Sequence, residues 1–204
     1  MSGRNSEVEE AILFRITMVR VKENKIMPIR RALDLGAMGV IVPLVNSADE
    51  ARHAVVAAKF PPEGIRGFAF CRGNEWGVDF DEYAAKANGM ISVIVMIESK
   101  SAVEKIEEIV KVEGVDGVFI GPYDMSGSYG IVGQTDSEII QEACEKVVAA
   151  CKKHGKAAGI HIVLPACDNI RIAESQGFTL LALGMDTVFL ADGAKKTIRM
   201  IDNG

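Results

Sequence analysis

The chain lacks the features of a nucleic-acid-binding, membrane or secreted protein. It has 23 Lys and Arg against 28 Asp and Glu, for a formal net charge of -5. This balance argues against a broad electrostatic footprint for nucleic acid. No apolar run approaches the ~20 residues that span a bilayer, and the first residues, MSGRNSEVEE, lack the apolar core of a secretory signal. We therefore expect a cytoplasmic protein with no nucleic-acid or membrane partner.

Cysteine is also scarce. The four cysteines lie far apart and form no CxxC pair or Cys/His cluster, which argues against a disulfide framework and against a structural zinc site. Cys144 and Cys151 are one heptad apart in a helical segment. This spacing favours burial on one helix face over redox chemistry.

What the sequence does contain is a repeated alternation of short apolar runs, rich in Val and Ile, with longer amphipathic segments. Near-continuous apolar strands separated by helices are typical of a parallel α/β sheet that is buried on both faces. Ser47 with Glu50 predicts a capping box for one of these helices, and Ser99 predicts an N-cap for another. Seven strands are predicted, in residues 16–21, 39–45, 66–70, 92–98, 117–122, 157–164 and 180–186.

The strand count favours a barrel that is short of one unit. A (β/α)8 barrel usually takes ~250 residues, and the segment SEVEEAILF before the first predicted strand is helical in pattern, with no strand ahead of it. We predict an α/β fold of the (β/α)8 TIM-barrel family that lacks its first strand, as a single incomplete domain over residues 1–204. A doubly wound open sheet is the alternative.

In parallel α/β proteins the functional groups gather where the strands end. Two acids stand out among the residues at such ends. Glu98 closes an apolar run, where an unpaired buried carboxylate would be too costly, and Asp124 follows the next strand. The full set of strand-end candidates is Arg20, Pro43, Arg66, Glu98, Asp124, His161 and Asp186.

Glu98 and Asp124 are expected to lie side by side, because adjacent strands are ~4.8 Å apart. Two carboxylates at this distance repel each other, and a hard divalent cation such as Mg²⁺ or Mn²⁺ would relieve the repulsion. A salt bridge to a barrel arginine, or a solvated acid at the rim, explains the pair equally well. Arg20 suits a carboxylate, a phosphate or a developing enolate oxygen, and it also suits one of these acids.

The histidines differ in their predicted surroundings. His161 ends a strand and could be a base, a ligand or a hydrogen-bonded supporting residue. His53 is expected on a solvated helix face, and His154 at a helix C-terminus, where its charge is favourable. Trp76 could cover the pocket or simply pack. The loop GPYDMSGSYG could bind an anion through its backbone N–H groups, although it is neither a Walker A nor a GxGxxG sequence.

Several blocks together resemble the metal-dependent (class II) pyruvate-aldolase and citrate lyase beta family, which includes 2-dehydro-3-deoxyglucarate aldolase and 4-hydroxy-2-oxoheptanedioate aldolase. The resemblance runs from Arg4 to about residue 192, and the block from Pro61 to Gly67 together with the Gly-Pro-x-Asp loop is specific. The blocks that carry it are GVIVPLVNSADEARHAVVAAKFPPEGIRG, VIVMIES, VEGVDGVFIGPYDMSGSYGIVGQ and ALGMDTVFL.

The resemblance implies a role for particular residues. Glu98 and Asp124 match the family's metal ligands for Mg²⁺, Mn²⁺ or Co²⁺, and Arg20 matches its enolate-stabilising arginine. The backbone amides of Tyr123 and Asp124 would hold the pyruvate carboxylate. Residues Arg66 and Gly67 match a loop near the substrate.

The implied reaction cleaves a 2-keto-3-deoxy acid to pyruvate and an aldehyde through a metal-bound pyruvate enolate. No Schiff-base lysine is needed in this route. Asp34, on a predicted helix, could reach the site of a neighbouring subunit. The resemblance also implies a homo-oligomer, a hexamer whose subunits exchange their last helix.

The sequence departs from the family at one point. Relatives carry a Glu-His-Gly motif whose His takes part in proton transfer, and Ser2 occupies the position of that His in this chain. From this we expect aldolase activity to be impaired, with metal and pyruvate binding partly kept. The alternative is a catalytically silent binding or assembly subunit on the same scaffold. A nucleotide-binding doubly wound protein is a more distant alternative, opposed by the lack of a phosphate loop.

Overall fold

The computed structural model describes residues 17–78 and 80–202, and in these residues six strands form one parallel sheet. The order of the strands in the sheet follows the chain from β1 to β6. The predicted N-terminal helix and Ser2 lie outside the described residues. The strands are β1 (Met18–Arg20), β2 (Gly39–Val42), β3 (Ser92–Ile97), β4 (Gly117–Ile120), β5 (Ala157–Ile162) and β6 (Leu180–Leu183).

Nine α-helices and one 3-10 segment, Arg72–Gly77, connect or follow these strands in the described chain. In that part of the chain, no helix combines the length and the apolar character needed to cross a membrane. The helices are α1 (Ile26–Asp34), α2 (Ala48–Ala58), α3 (Phe80–Met90), α4 (Lys100–Glu104), α5 (Ile106–Val110), α6 (Pro122–Ser128), α7 (Glu138–Lys153), α8 (Cys167–Ser175) and α9 (Asp186–Asp202).

The two faces of the sheet are covered differently. On one face, strand residues such as Val95 and Val118 pack with helix residues such as Leu33 and Val147 in one large core. On the other face, Met96 and Phe119 belong to a small cluster whose side chains all come from strands. Helices on one face and a strand-lined interior on the other describe a half-barrel, in agreement with a partial (β/α)8 barrel. The doubly wound alternative, which has helices on both faces, does not describe this chain.

The predicted strand at residues 66–70 is wrong. β2 pairs directly with β3, and this segment follows the end of α2 instead. The Ile65 N–H donates to the Val56 carbonyl and the Arg66 N–H to the Lys59 carbonyl, both at 2.9 Å. The rings of Phe60 and Phe68 stack on each other with centroids 4.4 Å apart. These contacts hold the segment against the helical layer and away from the sheet.

The helix starts follow their predicted caps in part. The Ser47 hydroxyl accepts from the Glu50 N–H at 3.2 Å and Ser99 accepts from the Ala102 N–H at 3.1 Å. The Glu50 carboxylate, however, accepts from the Asn46 N–H rather than from Ser47, so only half of the capping box forms.

Cys144 and Cys151 are both buried on α7, which confirms their shared buried face. Burial raises the pKa of the Cys144 thiol to about 11 and that of Cys151 to about 12.

Candidate active site

A cavity of about 790 Å³ opens where the strands of the half-barrel end. It reaches from the strand-lined interior to the space beside α7 and α8. Arg20, Glu98, Tyr123, Asp124 and His161, all named from the sequence, line this one cavity. The structure thus brings most of the predicted site together.

Glu98 is the buried acid of this cavity. Its side chain follows the last residue of β3 and is only 4 % exposed. Its Oε2 accepts a hydrogen bond from the Leu44 N–H at 2.9 Å. Burial raises the pKa of Glu98 above its ordinary 4.5, the Leu44 N–H opposes that rise, and the negative charge of Asp124 adds to it. A buried carboxylate with a raised pKa at the mouth of a cavity is typical of a functional group.

Asp124 lies on the neighbouring segment, in the first turn of α6, and is exposed to the cavity. Gly121 separates β4 from this helix and passes close to Glu98. A Cβ at Gly121 would lie 2.9 Å from Cγ of Glu98 and 3.1 Å from its Oε1. The N–H groups of Tyr123 and Asp124 fall in the helix's first turn, where no carbonyl of the same helix can accept them.

Arg20 approaches the acids without pairing with them. Its Nε donates to Sδ of Met96 at 3.3 Å, and its guanidinium forms no ion pair within 4.0 Å with an acid of the described chain. Its positive charge still lowers the pKa of Glu98, as the weakest of the four influences on that group. The alternative in which Glu98 is the salt-bridge partner of this barrel arginine is therefore not what the structure contains.

His161 lines the cavity from β5. Its Nε2 is 2.8 Å from the carbonyl oxygen of Gly184. A carbonyl oxygen can only accept, so this contact requires the proton on Nε2. Nδ1 has no hydrogen-bond partner among the described residues.

Arg66 and Gly67 lie away from the cavity. The Arg66 guanidinium is 1 % exposed, is paired to Oδ1 of Asp34 at 2.9 Å and lies 4.5 Å from the ring centroid of Phe60. Asp34 is also bound by Arg30 at 3.2 Å. Two further nitrogens of Arg66, Nε and Nη1, are buried without a partner in the described residues. The structure thus uses Arg66 and Asp34 together inside the helical layer and does not bring Arg66, Gly67 or Asp34 to the acids.

The remaining candidates are spread over the surface. His53 contacts Asn24 at 3.1 Å on an exposed helix face, as expected. His154 ends α7, as expected, with its Nε2 2.9 Å from Glu107.

Trp76 is 71 % exposed and does not line the cavity. Asp186 begins α9 and accepts from the Thr187 N–H at 2.7 Å. Pro43 lies in a separate shallow depression beside α2.

The sequence reasoning missed part of the cavity wall. Met96 lies two residues before Glu98 along the same strand, and Phe119 is the register partner of Met96 on β4. Both therefore share a face with Glu98, and strand alternation could have found them. Nothing in the sequence pattern marked the polar residues that α7, α8 and the turns flanking them contribute. These are Thr135, Asp136, Gln141, Asn169 and Gln176.

The residues present fit a hard divalent cation. No cluster of three or more His, Cys, Asp or Glu side chains suited to a metal ion occurs within residues 17–78 and 80–202. The negative charge of Asp124 nevertheless raises the pKa of Glu98, and Glu98 has no cationic partner among the described residues. Mg²⁺ is commonly held by one or two carboxylates, with water and substrate oxygens completing its shell. The oxygen donors present match that pattern.

Known proteins resemble this chain over most of its length. The family model for the HpcH/HpaI aldolase/citrate lyase family matches residues 9–192. A 5-keto-4-deoxy-D-glucarate aldolase of Klebsiella pneumoniae is 40 % identical over 187 residues, which cover 88 % of this chain and 72 % of that protein. A 4-hydroxy-2-oxo-heptane-1,7-dioate aldolase of Escherichia coli is 39 % identical over 183 residues, covering 87 % of this chain and 68 % of its own length.

Solved structures show the same relationship. The crystal structure of an HpcH/HpaI aldolase/citrate lyase family protein from Burkholderia cenocepacia matches with a TM-score of 0.87 at 30 % identity, over 98 % of this chain and 78 % of that one. The chain is an α/β enzyme of the class II aldolase type. It belongs to the HpcH/HpaI aldolase/citrate lyase family, which confirms the resemblance found in the sequence.

Proposed function

We propose that this chain is a metal-dependent aldolase that cleaves a 2-keto-3-deoxy acid to pyruvate and an aldehyde. The observation that carries the proposal is that Glu98 and Asp124 both line one cavity, in a chain that belongs to an aldolase family. Relatives named for dicarboxylic keto acids support a substrate of that class. The aldehyde half would extend toward the polar wall beside α7 and α8.

Glu98 and Asp124 would hold the cation, which can be Mg²⁺, Mn²⁺ or Co²⁺. When bound, such an ion supplies Lewis acidity toward the keto and carboxylate oxygens of the substrate. The N–H groups of Tyr123 and Asp124 would donate to the pyruvate carboxylate. Residues Met96 and Phe119 would exclude water from the floor below it.

Arg20 would offset negative charge as the carbon–carbon bond breaks. The electrons of that bond pass to the keto oxygen and give the enolate of pyruvate. A guanidinium held by its sulfur contact with Met96, and not neutralised by an acid of the described chain, keeps its charge for that oxygen. Such prearranged charge is worth several kcal/mol where water is excluded, with about 3–4 kcal/mol typical for a single donor.

The test is a retro-aldol assay with 4-hydroxy-2-oxo acids, in which the pyruvate formed is coupled to lactate dehydrogenase. We expect pyruvate formation that depends on Mg²⁺ or Mn²⁺, is lost in Asp124→Asn, and is kept in the exposed control Asp81→Asn. The reduced rate expected from Ser2 stays a prediction that the same assay tests. A chain that binds metal and oxalate but forms no pyruvate would favour the silent-subunit alternative.

We also propose self-association through α9. Leu190 and Ile201 on this helix are 76 % and 75 % exposed, and Ile198 is 58 % exposed. At about 100° per residue the three side chains form one stripe along the helix. An apolar stripe left uncovered in a single chain is the kind of surface that an interface covers. A second copy of this chain is the occupant that we propose, in line with the homo-oligomer that the family resemblance implies.

A further inference from the structure

His161 is the one histidine of the chain that lines the cavity. The chain has three histidines, and the structure describes all three. His53 is on the exposed face of α2, and His154 is paired with Glu107. A cavity proposed to cleave a carbon–carbon bond next to a hydroxyl needs a group that accepts a proton near neutral pH. Neutral imidazole suits that task better than any other side chain.

The hydrogen bond to Gly184 fixes the form of this imidazole. Because the Gly184 carbonyl accepts the Nε2 proton at 2.8 Å, Nδ1 carries the lone pair in the neutral ring. The described residues offer Nδ1 no hydrogen bond. One nitrogen is therefore used to orient the ring, and the other is left as the base. A general base is commonly held in position in this way, with a hydrogen bond from a neighbouring group that orients it.

The sheet register places His161 in the same row as Glu98, two strands away. Ile97 pairs with Ile120 and Ile120 pairs with Ile160. One residue beyond these pairs, Glu98, Gly121 and His161 fall in one row across three strands. Neighbouring strands are ~4.8 Å apart, so the backbones of Glu98 and His161 are separated by about 10 Å at this row.

Gly121, between Glu98 and His161 in this row, leaves space between their two side chains. Gly121 has no side chain, and a Cβ there would meet Glu98 at 2.9 Å. The space above Gly121 is thus bounded by the carboxylate on one side and by the imidazole on the other. A three-carbon keto acid fits such a gap, with its oxygens toward Glu98 and its reacting carbon toward His161.

We propose that Nδ1 of His161 is the proton-transfer group of this site, an inference that rests on the proposed aldolase function. In the cleavage direction Nδ1 takes the proton of the C4 hydroxyl, and the C3–C4 bond breaks. C4 becomes the aldehyde, and the bonding electrons pass to the C2 keto group to give the enolate. The imidazolium then returns its proton to C3, which becomes the methyl group of pyruvate.

The test is exchange of the pyruvate methyl protons with D₂O, followed by proton NMR in the presence of Mg²⁺. His161→Gln is the sharpest variant, since its amide N–H₂ can still donate to the Gly184 carbonyl while the base is lost. We expect the exchange rate to fall at least ~100-fold, in keeping with the usual contribution of a general base. Oxalate affinity should change less than about 3-fold, because the donors that we assign to oxalate lie elsewhere in the cavity. His53→Gln, on the surface, is the matched control and should exchange at the wild-type rate.

A second measurement needs neither a variant nor activity. Proton–nitrogen correlation spectra of ¹⁵N-labelled wild-type protein should show His161 with a proton on Nε2 and none on Nδ1 at pH 8. A proton on Nδ1 would contradict the proposal. Wild-type exchange in His161→Gln would overturn the role of His161 while leaving the aldolase function intact. No exchange in the wild-type chain would contradict both.

Discussion

The Leu44 N–H donates to the Glu98 carboxylate at 2.9 Å, across the ends of β2 and β3. This is the hydrogen bond that the described chain supplies to Glu98, and it comes from a backbone group rather than from a cation. Burial and the nearby charge of Asp124 outweigh it, so the pKa of Glu98 is raised. The buried acid is thus left prepared for a positive ligand that the described chain itself does not provide.

The first prediction concerns stability and pH in the absence of metal. A raised folded-state pKa means that the folded chain binds this proton more tightly than the unfolded chain, whose value is near 4.5. Ionised Glu98 therefore destabilises the fold at pH 7, and the penalty fades as the pH falls through the raised pKa. We expect metal-free Glu98→Gln to unfold at a higher urea concentration than wild type at pH 7, with the difference shrinking as the pH falls toward 4.5.

The control for that measurement is Glu113→Gln, at an exposed acid outside the cavity. It should leave the urea midpoint unchanged at both pH values. A Glu98→Gln variant that is less stable than wild type at pH 7 would show that a partner stabilises the ionised Glu98, and the prediction would be wrong.

The second prediction concerns the space above Gly121. Gly121→Ala would place a methyl group 2.9 Å from Cγ of Glu98, in the gap proposed for the keto acid. We expect oxalate affinity in the presence of Mn²⁺ to fall at least about 10-fold, or ~1.4 kcal/mol. Gly127→Ala, in the helix that follows Gly121, has no atom within 4 Å of the added carbon and should bind as wild type does. Equal affinities in the two variants would move the keto acid elsewhere.

The third prediction separates Arg66 from the substrate. Asp34→Ala leaves the buried Arg66 guanidinium without its 2.9 Å partner, and removing one partner of a buried pair costs about 3–5 kcal/mol. Arg66→Met removes the charge itself and should cost less. Oxalate affinity should stay within about 2-fold of wild type in Arg66→Met, because Arg66 does not line the cavity and loses no contact with oxalate. A large loss of oxalate binding in that variant would restore the role that the sequence suggested.

The fourth prediction concerns assembly. Leu190→Glu with Ile198→Glu puts two charges on the apolar stripe of α9, and we expect the molar mass from light scattering to fall to that of one 204-residue chain. Lys196→Glu is the control, since Lys196 lies about 120° around the helix from Leu190 and about 160° from Ile198. It should keep the wild-type mass. A wild-type protein that is already a single chain would contradict the proposed self-association.

Much of the fold follows from the sequence because its signals are local. The apolar runs around β3 and β4 and the Ser99 cap are read directly from neighbouring residues. The segment 66–70 failed because its apolar, aromatic residues pack against the helical layer instead of pairing with a strand. Arg66 is held by Asp34, 32 positions earlier in the chain, and no local pattern shows that contact.

The candidate site, like the fold, could be predicted in part from the sequence. Strand-end position marked Glu98, Asp124, Arg20 and His161, and all four line one cavity. The sequence left open whether Arg20 neutralises Glu98, since that depends on side-chain geometry; the arginine turns to Met96 instead. Nor could it show the Leu44 contact, because Leu44 adopts a φ of 56°, a left-handed conformation that costs a leucine roughly 1–2 kcal/mol.

We propose that Glu98 and Asp124 together form a metal-dependent site for pyruvate. The most direct test is isothermal titration of oxalate, which resembles the pyruvate enolate, into the purified chain with and without Mn²⁺. We expect binding only with Mn²⁺ and its loss in Glu98→Gln and in Asp124→Asn, both checked for folding by circular dichroism. Binding that is equal without Mn²⁺, or unchanged in both variants, would contradict the claim.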